Sequence, residues 1–433
     1  MAQADILPCL LSELDFFEQE RVQAGVVAQY VEVLQPLSSL QGAQTEVLEF
    51  SSAGRPLALM DLGGLRLRFV VYLRKRTGEN LTANDDKIST VNCLLHAMIR
   101  QCEIFLNEKC ITKSPQDYAL KSYLDILTSA HPASTDGHTS TFLFSPDESP
   151  DSPSHNEGWT NRLAHFKKSN RVELVGYLRD DAMKMMQNLF ILDQVNLRVK
   201  LGLNSQDMFL WSKSTGQNDV ELVIEKAELS VPYFKISPDL SIALERVLTQ
   251  KPAVYRFNAT QIKTFVHPAL SSTINLAMAF SGKLPNSLLL TFQKSKDFSP
   301  NIKNNPFYFP HCNVEEISVF VNGQEQKIQL DMESDIGCCS ALKSIYDTFG
   351  FKDENSPANL YTLKNLRNGQ FAVAFDLTID KSGRSNSHNL DLHGTLRIQA
   401  KLKEALNETI VVVVYACFPS RFEITADREV ILL

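Results

Sequence analysis

The sequence lacks most of what a membrane protein, a secreted protein or a nucleic-acid coat would need. No stretch of its 433 residues approaches the ~20 consecutive apolar residues of a membrane-spanning helix, so no membrane span is expected. Met1 to Ser12 has no basic region and carries Asp5, which argues against a secretory leader. Cysteine is sparse: Cys9, Cys93, Cys102, Cys110, Cys312, Cys338, Cys339 and Cys417 make eight, none in a C-x-x-C pair. Several lie inside apolar strand patterns, which predicts reduced, buried thiols. Without a secretory route, the sequons at Asn80, Asn258 and Asn407 read as chance matches. Positive charge is not in excess: the formal net charge is −7, and Arg74-Lys75-Arg76 and Lys167-Lys168 are short clusters that read as solvated loop or strand ends. Direct, sequence-specific binding of nucleic acid is therefore not expected.

Site chemistry is missing too. There is no G-x-G-x-x-G after a strand, no P-loop, no H-E-x-x-H and no G-x-S-x-G. The nine histidines are dispersed: His131, His138, His155, His311 and His388 fall in loops, and His393 falls on the outward side of a strand. His311-Cys312 and Cys338-Cys339 have no common zinc-ligand spacing. Asn84-Asp85-Asp86 lacks the rest of a calcium loop. The aromatic run Phe307-Tyr308-Phe309 has no interleaved Arg or Lys, so core or subunit packing explains it better than base stacking. No catalytic, cofactor-binding or metal-binding residues are assigned, and function is expected to lie in surfaces and assembly.

What is present is β-structure. The length suits two domains of roughly 200 residues, and 44% hydrophobic with 21% charged residues is a globular composition. Period-two alternation dominates. Leu65, Leu67, Phe69, Val71 and Leu73 form one set, Val195, Leu197, Val199 and Leu201 a second, and Phe371, Val373, Phe375, Leu377 and Ile379 a third. From Leu392 to Leu402 the residues His393, Thr395, Arg397, Gln399 and Lys401 face outward. Thr409 to Cys417 is almost wholly apolar and β-branched and reads as a strand buried on both faces. Asn322-Gly323 marks a tight hairpin. Helical pattern is confined to Tyr118–Thr128, Leu240–Gln250 and Ser340–Phe349, with Asp117 and Ser237 or Asp239 as N-caps. Ser129 to Gly158 is rich in Ser, Pro, Asp and His and is expected to be an exposed loop inserted between strands.

A duplication underlies the pattern. Ala119-Leu120-Lys121-Ser122-Tyr123-Leu124-Asp125 resembles Ala341-Leu342-Lys343-Ser344-Ile345-Tyr346-Asp347. Before these come Glu103-Ile104-Phe105-Leu106-Asn107 and Ser318-Val319-Phe320-Val321-Asn322; after them come Leu197-Arg198-Val199 and Leu396-Arg397-Ile398. Val231-Pro232-Tyr233-Phe234 and Phe418-Pro419-Ser420-Arg421 close each series. Conserved order predicts two tandem copies of one all-β domain, residues 1–245 and 246–433, with the boundary near the helical segment between Leu240 and Pro252.

These residues resemble a family. Val91-Asn92-Cys93-Leu94-Leu95-His96-Ala97-Met98-Ile99, Cys102 to Asn107 and Tyr118 to Leu127 are similar to the first half of double jelly-roll (hexon-like) major capsid proteins of double-stranded DNA viruses. Phe371 to Thr378, Leu392 to Ile398, Thr409 to Ala416 and Phe422-Glu423-Ile424 are similar to the last strands of that family. Ser12 to Phe17, Asn84 to Lys87 and Asn305-Pro306-Phe307 look most like the capsid proteins of Polinton/Maverick elements, adintoviruses and adomaviruses. Asn107-Glu108 departs from the usual Asn-Gly, which predicts a wider hairpin there, and Ser129 to Gly158 has no match.

The resemblance implies two tandem eight-stranded jelly-roll β-sandwiches with short helices in loops. It also implies a non-enzymatic major capsid protein whose homotrimers form pseudo-hexagonal capsomers of an icosahedral shell, the Ser129 to Gly158 insertion being a candidate for an outer tower. Its partners would be neighbouring capsomers, penton and minor capsid proteins, and its place the virion, after assembly in the host-cell nucleus. Two alternatives stand beside it. A penton or minor capsid protein would use one jelly roll, against the duplication. A carbohydrate-binding or hydrolytic sandwich would need facing carboxylates, for which Glu221 and Glu225 are the candidates.

Overall fold

The computed structural model describes residues 23–40, 45–82, 85, 87–113, 116–135, 137–185, 188–213, 219–334, 336–349, 359–383 and 390–433. The segment Ser12 to Phe17, Asn84 and Asp86 of the Asn84 to Lys87 stretch, Cys9 and His388 lie outside them.

The first half contains β1 (Val26–Leu34), β2 (Val47–Ser52), β3 (Ala58–Met60), β4 (Arg66–Lys75), β5 (Ile88–Thr90), β6 (Ile99–Leu106), β7 (Lys109–Cys110), β8 (Val172–Tyr177), β9 (Leu197–Leu203), β10 (Leu210–Ser212) and β11 (Val220–Ile236). Its helices are α1 (Leu94–Ala97), α2 (Tyr118–Ser129), α3 (Glu157–Phe166) and α4 (Gln206–Phe209), and α5 (Pro238–Leu248) leads into the second half. There follow β12 (Ala253–His267), β13 (Thr273–Lys283), β14 (Ser287–Lys294), β15 (Val314–Val321), β16 (Gln324–Gln329), β17 (Val373–Asp376), β18 (His393–Leu402), β19 (Ile410–Ile424) and β20 (Val430–Leu432), with α6 (Ser295–Phe298), α7 (Cys339–Phe349) and α8 (Leu363–Arg367).

The strands sort into matching antiparallel sheets. In the first half a five-stranded sheet runs β1-β11-β4-β8 with β3 on β11, and a four-stranded sheet runs β2-β9-β6-β7. In the second, the orders are β12-β19-β14-β17 with β20 on β19, and β13-β18-β15-β16. Setting β3, β5, β10 and β20 aside leaves eight strands per half, ordered 1-8-3-6 and 2-7-4-5 in both, which is the jelly-roll topology. The short sequence repeats occupy equivalent places: α2 and α7 both lie between the fifth and sixth of those strands, and the paired segments fall on β6 and β15, β9 and β18, β11 and β19.

Period-two patterning explains the cores. In β4, Leu67, Phe69, Val71 and Leu73 are buried while alternate residues are not, and β18 behaves likewise with Leu396, Ile398, Ala400 and Leu402. From Ile410 to Cys417, β19 is buried on both faces, because elements of the chain cover its outer side. Ser237 caps α5 by accepting from the Leu240 N–H at 3.3 Å.

Four expectations are corrected. Asp117 is in the left-handed region and makes no side-chain cap to α2. Val373 to Asp376 is buried on both faces and not alternating, because α7 packs against it, while Ile379 lies beyond the strand and is 84% exposed. The Asn107-Glu108 turn is no wider than Asn322-Gly323. Leu106 pairs with Lys109 as Val321 pairs with Gln324, so each hairpin has a two-residue loop with both residues at positive φ. The shared asparagine explains this: Asn107 Oδ1 accepts from the Asn196 N–H at 2.8 Å, and Asn322 Oδ1 from the Thr395 N–H at 3.0 Å, tying each turn to the next strand of its sheet. Finally, Ser129 to Gly158 is not simply an exposed loop. Phe142, Leu143, Phe144, Asp147, Pro150 and Asn156 are buried, since the average polarity of the segment hides a local apolar triplet. Arg162, fully buried, holds the stretch by donating to Asp147 Oδ1 and the Ser145 carbonyl, both at 2.7 Å.

Candidate functional site: the seam between the two jelly rolls

Among the described residues, none of the chemistry-bearing side chains weighed in the sequence converge. Among the described residues no group of three or more His, Cys, Asp or Glu is placed to hold a metal ion. His131, His138, His155 and His393 are exposed. His96 is buried, and burial holds its pKa well below the ordinary value, so it is a neutral ring against Tyr118 and Phe142. Glu221 and Glu225 serve separate ion pairs, with Arg74 at 2.7 Å and Arg171 at 2.6 Å, and a bulge at Glu225 breaks the strand register between them. The seven described cysteines are unbridged. Among the described residues no helix is long and apolar enough to cross a membrane.

The polar groups that do converge lie where the halves meet. One flank of the first jelly roll, made by α2 and the turn Asp181–Met183 after β8, packs on the outer face of β12 and β19 in the second. α2 is buried from Tyr118 to Thr128, although it carries Lys121 and Asp125. Each finds partners. Lys121 Nζ sits 2.8 Å from Asp181 Oδ1 and donates to the Arg179 carbonyl at 3.1 Å. Asp181 reaches across the seam and accepts from the Thr260 N–H at 2.7 Å and the Thr260 hydroxyl at 3.1 Å. Asp125 accepts from Lys184 Nζ and, across the seam, from the Tyr415 hydroxyl, each at 2.5 Å.

Burial works to raise the Asp125 carboxyl, yet Lys184 and Lys121 outweigh it and hold the pKa at about 2. Burial likewise opposes the charge on Lys121, but Asp181, Asp180 and Asp125 raise it above the ordinary lysine value. A buried pair of this kind loses several kcal/mol when one member is removed, because the other is left uncompensated.

Apolar and backbone contacts complete the seam. The Tyr123 ring stacks on Phe307 with centroids 4.3 Å apart, and Gln370 Nε2 donates to its hydroxyl at 3.2 Å. Phe307 and Phe309 are buried, so that aromatic run packs between the halves. Asn305 Nδ2 donates to the Pro150 carbonyl at 3.0 Å, and the Leu360 N–H to the Leu127 carbonyl at 2.8 Å. Near the C-terminus Arg428 bridges Asp193 at 2.6 Å and Glu245 of α5. The seam was not foreseen from sequence. Its one local signal was a lysine and an aspartate four residues apart on an otherwise apolar helix.

Two jelly rolls of identical topology, joined side by side in one chain, define the double jelly-roll fold. No protein-family model matches the sequence, and no curated protein sequence matches it. Solved structures do match. A chain of the Sputnik virophage aligns over 99% of this chain and 93% of its own, with TM-score 0.63 and 10% identity. The mavirus major capsid protein aligns over 100% and 96%, with TM-score 0.58 and 12% identity. The Faustovirus major capsid protein aligns over 94% and 92%, with TM-score 0.58 and 7% identity. This chain has the fold of those capsid proteins along its whole length.

Proposed function

We propose that the chain is a major capsid protein, a structural and non-enzymatic subunit of the virion shell. The observation that carries this reading is the seam: a single chain holds two equivalent jelly rolls rigidly side by side through buried charge pairs and stacked rings. Such a two-lobed subunit lets three copies present six similar lobes, so a homotrimer fills a pseudo-hexagonal position in an icosahedral lattice. Its neighbours would be other capsomers with penton and minor capsid proteins. Full-length fold agreement with mavirus and Faustovirus major capsid proteins supports the reading. The nearer kinship with Polinton/Maverick, adintovirus and adomavirus proteins rests on the short sequence motifs. The division at residues 245 and 246 is part of the proposal, supported by β11 ending at Ile236 and β12 beginning at Ala253.

Mass photometry and negative-stain microscopy of the expressed full-length chain test it. Trimers of about three times the 48.7 kDa chain mass with a pseudo-hexagonal outline are expected. A stable monomer across the micromolar range would remove the capsomer reading, and a pentamer would favour a vertex protein.

A further inference from the structure

The seam joins unlike surfaces: a flank of the first jelly roll meets the outer sheet face of the second. A contact between unlike surfaces leaves one of each kind unused at the two ends of the chain. The internal duplication locates both. Strand pairing sets Pro232 opposite Val31 and Pro419 opposite Asn258, so aligning the two prolines makes Val33 the counterpart of Thr260. On the other side, the Leu178 N–H donates to the Leu65 carbonyl and the Leu377 N–H to the Asn286 carbonyl. Leu65 and Asn286 precede Arg66 and Ser287, which pair with the matching residues Ser230 and Cys417. Leu178 therefore matches Leu377, and Asp181 matches Asp380.

The two members of each pair differ sharply in exposure. Thr260, under Asp181, is 3% exposed, whereas Val33 is 53% exposed. Val31, on the same outward side of β1 as Val33, is 42% exposed. Asp181 is buried in the seam, whereas Asp380 is exposed beside Ile379 at 84%. Among the described residues β1 and β12 are both edge strands, β1 pairing with β11 alone and β12 with β19 alone. An apolar edge strand left uncovered is an association surface.

We infer that the turn after β17 docks on the outer face and free edge of β1 in a second copy of this chain, repeating between subunits the contact made within one. Asp380 accepts from the Val33 N–H of the neighbouring copy, as Asp181 does from that of Thr260, and Ile379 covers Val31 and Val33. Successive copies join head to tail. The inference rests on the trimer proposed above, in which the third contact closes the ring.

The test uses full-length chain in which Cys9, Cys110, Cys312 and Cys339 are replaced by serine, taken as the parent, with Val33→Cys and Asp380→Cys combined in it, treated with a short bis-maleimide and run on a denaturing gel. Covalent dimers and trimers are expected from the double variant, and monomers from the parent and from either single variant. In parallel, Ile379→Asp is expected to reduce the trimer fraction at least tenfold by mass photometry with an unchanged far-ultraviolet spectrum, whereas Met278→Asp, on the other sheet, leaves it intact. Trimers by mass photometry without cross-links between copies would overturn this interface and leave the trimer standing. A bridge formed only within one chain would also overturn it. A parent protein that is monomeric would instead remove the trimer and the interface together.

Discussion

The two five-stranded sheets have one topology and opposite fates. In the second jelly roll the outer face is covered at the joint, where Thr260, Leu289, Thr291 and Tyr415 are all less than 5% exposed, while Arg256 and Val266 on the same side of β12 stay exposed. In the first, the equivalent face carries Val31, Val33, Arg66 and a surface network in which Arg68 binds Glu173 and, at 2.7 Å, Glu228. Tyr415 and Glu228 occupy equivalent positions, one donating into a buried seam and the other paired at a half-open surface. Topologically equivalent surfaces are thus a fixed internal joint in one half and a face open to solvent in the other. The difference lies in a few outward side chains, since the inward ones remain apolar in both.

Removing the charge at the joint should break this comparison most strongly. Asp125→Ala leaves Lys184 and the buried Tyr415 hydroxyl without their acceptor, and should cost about 3–5 kcal/mol in urea unfolding; Glu228→Ala, at the open counterpart of Tyr415, should cost about 0–1 kcal/mol. Tyr123→Ala removes the ring stacked on Phe307 and should cost about 3 kcal/mol, with the halves beginning to unfold in separate transitions. Acid should act on the same joint. The Asp125 pKa is depressed to about 2, so its stabilisation is present above pH ~4 and is lost as the pH falls from about 4 toward 2, amounting to ~2 kcal/mol. Urea midpoints of the parent and of Asp125→Asn across that range should converge at the acid end.

A smaller effect compares the two hairpins. Glu108 sits at φ +66°, where Gly323 stands in the other copy, and its pairing with Arg198 is solvent-exposed. Glu108→Gly should therefore raise stability by about 0.5 kcal/mol, read by thermal denaturation. Protection from protease cleavage between Phe142 and Pro150 would mark the burial of that insertion, without any substitution.

Much of the sandwich was legible in the residues themselves. Alternation in Leu67 to Leu73 and Leu392 to Leu402, the almost wholly apolar Thr409 to Cys417 and the Asn322-Gly323 turn each report a local rule of strand or hairpin geometry. The short repeat at Ala119 and Ala341 located equivalent helices. Local composition misled where burial came from distant partners. Ser129 to Gly158 reads as solvent-exposed by average, yet Phe142 is enclosed against His96 and Asp147 against Arg162 of α3. Phe371 to Ile379 reads as half-exposed until α7 is placed over it. The candidate site was illegible for the same reason. Apart from Lys121 and Asp125, which share α2, the residues Asp181, Thr260 and Tyr415 lie far apart in the chain, and no spacing rule connects them to that helix.

By itself, then, the amino-acid order determined two all-β copies, their inward apolar faces and the places of their turns, because those depend on periods of two residues and on local backbone preferences. Only the tertiary structure decided which outer face is covered and which stays open. That outcome turns on charges and rings brought together across hundreds of residues, where desolvation makes each pairing matter.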